Sequence, residues 1–138
     1  MVTDPVLVAA VRLEFSRGQR VRELGYGPDA DQRLRSEIEA IIGRGLAHRD
    51  YLHTPQALLV WHRAADGDLA EVLLSCAEAM TGSTPLWLLT PGIDRPGHVC
   101  AVIVTEAAER AGLLIATRVD VLDDWDVTGM CLPARAPR

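Results

Sequence analysis

Val21-Arg22-Glu23-Leu24-Gly25-Tyr26-Gly27-Pro28-Asp29 decides the fold. From Gln19 to Tyr26, apolar Val21 and Leu24 stand among polar Arg20, Arg22 and Glu23, which suits a strand. Gly25 and Gly27 then turn the chain. Pro28 and the acids that follow are helix-start signals, and either Asp29 or Asp31 can cap the helix. Leu34, Ile38, Ile41 and Ile42 recur at helical spacing until Gly43 and Gly45, so roughly 29–43 reads as an amphipathic helix.

Upstream, Asp4 to Phe15 reads as a short helix or arm, closed by the turn Ser16-Arg17-Gly18. Downstream, Gly45 to Thr54 is a polar loop or one weak strand. Gln56 to His62 carries the apolar run Ala57-Leu58-Leu59-Val60-Trp61, which suits a buried parallel strand. Asp66-Gly67-Asp68 turns the chain into a second helix bearing Leu69, Val72, Leu73, Cys76 and Met80, with Gly82 as its stop. Leu86-Trp87-Leu88-Leu89 is the next buried strand, closed by Thr90-Pro91-Gly92. The apolar run Val99 to Val104 fits either period. Ala107, Ala108, Ala111 and the stop at Gly112 favour a helix over roughly 101–111. Leu113 to Val121 and Gly129 to Leu132 read as the last strands, joined by an Asp123-Asp124-Trp125-Asp126 turn that suits an antiparallel return.

Alternating strands and helices of this kind build a parallel sheet with helices on its faces. The expected fold is α/β: three-layer, with a mostly parallel Rossmann-like sheet and a C-terminal antiparallel strand. Residues 1–138 read as a single α/β domain, with 1–18 an N-terminal arm or short helix and 133–138 a flexible tail. A length of 138 residues suits one domain.

Charge and composition narrow the functional classes. The net charge is −5, unfavourable for nucleic acid and for an anionic membrane surface. All 14 basic residues are Arg, so Schiff-base chemistry and a phosphate-loop lysine are excluded. Cys76, Cys100 and Cys131 form no Cys-x-x-Cys pair and read as buried, reduced thiols of a cytoplasmic protein. The N-terminal apolar stretch is too brief and too charged for a signal peptide or a membrane span. His48, His53, His62 and His98 fall in no metal-ligand spacing, so no metal and no cofactor is expected.

Glu23-x-Gly25-x-Gly27-x-Asp29 has the spacing of the acidic glycine turn of Rossmann-like methyltransferases. The third small residue of that turn is here Asp29. A carboxylate at a helix start, with Asp31 close by, opposes an anionic cofactor group. The turn therefore reads as geometry before it reads as a ligand site. Asp50 lies about where such folds place a ribose-binding acid. However, Leu46-Ala47-His48-Arg49 makes a poor buried strand, and a full strand–helix unit is missing, so Asp50 reads as a surface acid.

In open α/β sheets, ligands bind outside the carboxyl ends of the strands. That rule gathers Tyr26, His62, Arg63, Thr90, Arg95 and His98 at one edge if their strands are neighbours. His62 and His98 are the candidate acid and base. Tyr26, Arg63, Thr90 and Arg95 are the candidate ligand contacts, for a small anionic ligand. The plainer alternative leaves both histidines in solvated loops. Trp61 and Trp87 read as core, and Trp125 reads as either a plug under the sheet or a contact surface.

The chain as a whole resembles a small actinobacterial family known as a domain of unknown function. The resemblance rests on Gly18-Gln19-Arg20-Val21-Arg22-Glu23-Leu24-Gly25-Tyr26, Asp50-Tyr51, Leu58-Leu59-Val60-Trp61-His62-Arg63 and Asp66-Gly67-Asp68-Leu69. It continues through Leu86-Trp87-Leu88-Leu89-Thr90-Pro91, Gly97-His98-Val99, Glu106-Ala107-Ala108 and Asp124-Trp125. His62 stands where the family pattern has a second Trp, and Val102-Ile103-Val104 is more apolar than its usual helix start, marking a divergent member. The resemblance carries over no catalytic role. The leading expectation is a non-catalytic or regulatory domain, self-associating as a homodimer. A small biosynthetic tailoring enzyme using the His pair and a degenerate S-adenosylmethionine-binding domain are the alternatives.

Overall fold

A computed structural model describes residues 4–48 and 54–133. Asp50, Tyr51, His53 and the tail after Pro133 lie outside the described residues. The element order is α1 (Pro5–Arg12), β1 (Val21–Leu24), α2 (Gln32–Ile42), β2 (Ala57–Trp61), a 3-10 turn (Ala64–Asp66), α3 (Leu69–Ala79), β3 (Leu86–Pro91), α4 (Ala101–Ala111), β4 (Leu114–Val119) and β5 (Trp125–Cys131).

The sheet order is β1-β2-β3-β5-β4. β1, β2 and β3 pair in parallel, and β5 runs antiparallel to both β3 and β4. This is the expected α/β architecture, with β5 as the reversed strand. Burial on both faces explains why Leu58, Leu59, Val60, Leu86, Leu88 and Leu89 form unbroken apolar runs. The sheet divides the core in two. On one face α1 and α2 close over Leu34, Ile38, Leu59, Trp61, Trp87, Trp125 and Val127. On the other, α3 and α4 close over Leu58, Val60, Leu73, Leu88, Val104 and Ala108. Each fully buried Leu or Ile contributes about 1.5–3 kcal/mol.

Helix starts follow side-chain chemistry. Asp4, Asp31 and Asp68 cap α1, α2 and α3 by accepting the backbone N–H of Val6, Leu34 and Ala70. Asp31 therefore takes the cap, and α2 begins at Gln32 rather than at Asp29. α4 spans the expected residues and ends at Gly112. α3 stops earlier than expected, at Ala79 with Met80 as its cap, because Thr81 to Thr84 form their own turn closed by hydroxyl bonds.

Two strands are longer than their sequence signals. Thr90 and Pro91 extend β3, because Thr90 pairs with Asp126 and Pro91 with Trp125. β5 accordingly begins at Trp125, so the expected four-residue turn ends at Asp124. Trp125 is 1% exposed and packs edge-on against Trp61 at 4.8 Å, which settles it as a plug in the core. Ala47 makes one parallel bridge to Arg22 at the outer edge of β1. Of the cysteines only Cys76 is buried, with its thiol pushed up to about 11 by desolvation, whereas Cys100 is exposed and Cys131 half-buried. Among the described residues, no helix is long and apolar enough to cross a membrane.

Candidate functional site at the carboxyl ends of the parallel strands

The turn after β1 passes against the end of β2. Gly25 sits at φ +74°, and a Cβ there would lie 2.0 Å from the Trp61 carbonyl oxygen. Only glycine satisfies both the left-handed backbone and the close approach. The turn thus delivers Tyr26 to the rim of a cavity of about 390 Å³, which Leu24, Val60, Trp61, His62, Arg63 and Asp66 also line.

Arg63 covers this turn. Its Nη1 donates to the Gly25 carbonyl at 2.6 Å, and its Nε and Nη2 donate to the two Asp29 oxygens at 2.9 and 2.5 Å. Asp66 Oδ2 lies 3.3 Å from Nη1 and also accepts the Arg63 backbone N–H at 2.9 Å. The guanidinium stacks 5.5 Å from the Trp125 ring, with Arg95 on the same ring at 5.7 Å. The Arg63 bond holds the Asp29 carboxyl below its usual range, and the Asp29 bond raises Arg63 further. A bidentate, stacked arginine of this kind is a rigid fixture. The Asp29 charge that opposes an anion at the turn is therefore spent on Arg63.

Beneath Tyr26 lies a network with no counterpart in the sequence reading. Glu23, 2% exposed, accepts from Arg35 Nε and Nη2 at 2.7 Å each and from Trp61 Nε1 at 2.8 Å. His48 Nε2 lies 2.7 Å from its other side. Burial pushes the Glu23 carboxyl up, but the bonds from Arg35, Trp61 and His48 outweigh it and hold the group below its usual value. Tyr26 roofs this network, with the Arg35 guanidinium 4.2 Å from its ring, His48 stacked at 6.0 Å, and Gln32 Nε2 donating to its hydroxyl.

The strand-end residues separate into groups. Tyr26, His62 and Arg63 share the cavity. His62 is 2% exposed rather than in solvent, and burial lowers its pKa, leaving a neutral imidazole. His98 does not line that cavity. It is half-buried, with Nδ1 donating to the Pro91 carbonyl at 2.9 Å. Thr90 lines a different cavity on the α3/α4 face. Arg95 lies 3.6 Å from Asp124. No group of three or more His, Cys, Asp or Glu among the described residues could hold a metal.

The α/β fold is similar to that of solved methyltransferases. The chain aligns with an N,N-8-amino-8-demethyl-D-riboflavin dimethyltransferase from Streptomyces davawensis at TM-score 0.60 and 15% identity, over 92% of this chain and 54% of that one. It aligns with an S-adenosylmethionine-dependent methyltransferase from Aquifex aeolicus at TM-score 0.63 and 12% identity, over 94% and 90%. The chain spans about half the length of the first of these, and at such identities the likeness is one of fold.

Residues 10–135 match the family described as "Protein of unknown function (DUF3052)", and the chain belongs to it. Uncharacterized proteins of Mycobacterium tuberculosis and Mycobacterium bovis are each 32% identical over 124 residues, 90% of this chain and 78% of theirs.

Proposed function

We propose that this chain is a non-catalytic, regulatory α/β domain on a methyltransferase-like scaffold. One observation carries the reading: the Arg63 guanidinium lies over the glycine turn with four of its N–H groups committed to Gly25, Asp29 and Asp66. An anionic ligand would have to break a bidentate ion pair to reach Arg63, and Asp31 already caps α2. The domain acts in the cytoplasm, and its net charge of −5 disfavours nucleic acid and an anionic membrane as partners. Leu7 and Val11, exposed one turn apart on α1, offer apolar surface to a second copy in a homodimer. Titration with S-adenosylmethionine and S-adenosylhomocysteine tests the sealed turn, and light scattering tests the dimer.

A second reading, a small tailoring enzyme, is supported by His62, a neutral imidazole at the wall of the Tyr26 cavity. His62 would act there without His98. A metabolite thermal-shift screen with a hit lost in His62→Gln would favour it. A degenerate S-adenosylmethionine-binding domain, supported by the methyltransferase fold, is separated from both by the titration.

A further inference from the structure

On the α3/α4 face, a separate cavity of about 210 Å³ opens where β3, β4 and β5 meet the start of α4. Cross-strand register sets its polar wall. Thr90 pairs with Asp126 and Arg118 with Thr128, so these four side chains share one face, with Asp120 two residues beyond Arg118. Thr90 is 2% and Thr128 3% exposed, and neither hydroxyl has a hydrogen-bond partner among the described residues. Both hydroxyls open onto the cavity, where each can donate to or accept from a group placed within it.

The wall has two electrical poles. Ala101, the first residue of α4, lines the cavity, and the N-cap Cys100 makes no side-chain bond. No acid stands in that first turn, so its N–H groups present uncompensated positive charge. Arg118, lightly tied to Thr105 at 3.5 Å, adds a cation. The opposite pole is Asp126, half-buried and without a hydrogen bond among the described residues. Burial raises its carboxyl, Asp120 adds to the rise, and His98 and Arg118 oppose it. A desolvated carboxyl of this kind gains most from a cation brought by a ligand.

We propose that this cavity binds a small zwitterionic α-amino acid. Its carboxylate sits at the start of α4 beside Arg118, and its ammonium on Asp126. Its side chain lies between Val99 and Val104, within reach of Thr90 and Thr128. At about 210 Å³ the cavity suits a small amino acid such as alanine, serine or threonine. The site is distinct from the Tyr26 cavity, so it holds whether or not that cavity is catalytic.

Amide NMR titration of the full chain with L-alanine, L-serine and L-threonine tests the proposal, with propionate and ethylamine as half-ligands. Saturable shifts are expected around Ala101 and Asp126 for at least one amino acid. Affinity should fall at least about tenfold for either half-ligand and for Asp126→Asn, the loss of one charge-assisted bond. Thr128→Val, close to isosteric, should weaken binding while leaving the fold intact. Absence of saturation with all three amino acids, equal binding of propionate, or full affinity in a folded Asp126→Asn protein would overturn it.

Discussion

The indole of Trp61 donates to the buried carboxylate of Glu23 at 2.8 Å, joining the end of β2 to the end of β1 through side chains as well as through the sheet. The bond holds Trp61 edge-on to Trp125 while Glu23 anchors Arg35 of α2. One carboxylate thus ties two strands and a helix beneath the turn that carries Tyr26.

Glu23→Ala should cost about 3–5 kcal/mol, the typical loss when one partner of a buried ion pair is removed. It leaves Arg35 and the Trp61 N–H without their acceptor. Chemical denaturation reads the loss. Glu23→Gln should cost less, because it keeps one acceptor oxygen.

Gly25→Ala should destabilise the protein by more than about 2 kcal/mol, since left-handed backbone alone costs ~1–2 kcal/mol and the new methyl meets the Trp61 carbonyl. Gly18→Ala is the control. It has a similar φ of +82° but nothing within 4 Å, so it should show only the backbone part. Melting temperatures of the two variants separate strain from collision.

Acid should weaken the fold in two stages. His62 has a lowered pKa in the folded state, so the unfolded chain binds the proton first. Stability falls as pH drops below the unfolded value of about 6.5. Asp29 and Glu23 also have lowered folded values, so their contribution is complete above about pH 4–4.5 and is lost as pH falls through their folded pKa. Urea unfolding of wild type and His62→Gln between pH 7 and 5.5 tests the first stage. The variant should have lost the His62 part of the slope.

Asp29→Asn should leave Arg63 one neutral acceptor where it had a bidentate carboxylate. At this partly exposed pair the stability cost should be no more than about 1 kcal/mol. Arg63 becomes freer to meet an anion. A sulfate titration followed by thermal shift should therefore show a response in the variant that wild type lacks.

The unbroken apolar runs of β2 and β3 made the parallel core legible, because a strand buried on both faces must be apolar throughout. The caps were legible too, since Asp before an apolar repeat has few other uses. The start of β5 was not. Asp123, Asp124 and Asp126 look like a turn, and only pairing of Trp125 with Pro91 reveals a strand. The Glu23 network was hidden for a similar reason. Its partners lie 12, 25 and 38 residues away, so no local pattern marks a charge in an exposed-looking strand as buried. Asp29 was read as a barrier to anions. Its pairing with Arg63, 34 residues on, shows that it holds the turn's covering arginine in place. His62 and His98 looked like neighbours because both follow strands, yet only His62 lines the Tyr26 cavity.

Calorimetric titration of S-adenosylmethionine into the wild-type protein tests the central claim most directly. A glycine turn sealed by Arg63 and Asp29 predicts no binding heat and no change in melting temperature at millimolar ligand. Saturable binding that is lost when Tyr26 is changed to Ala would contradict it.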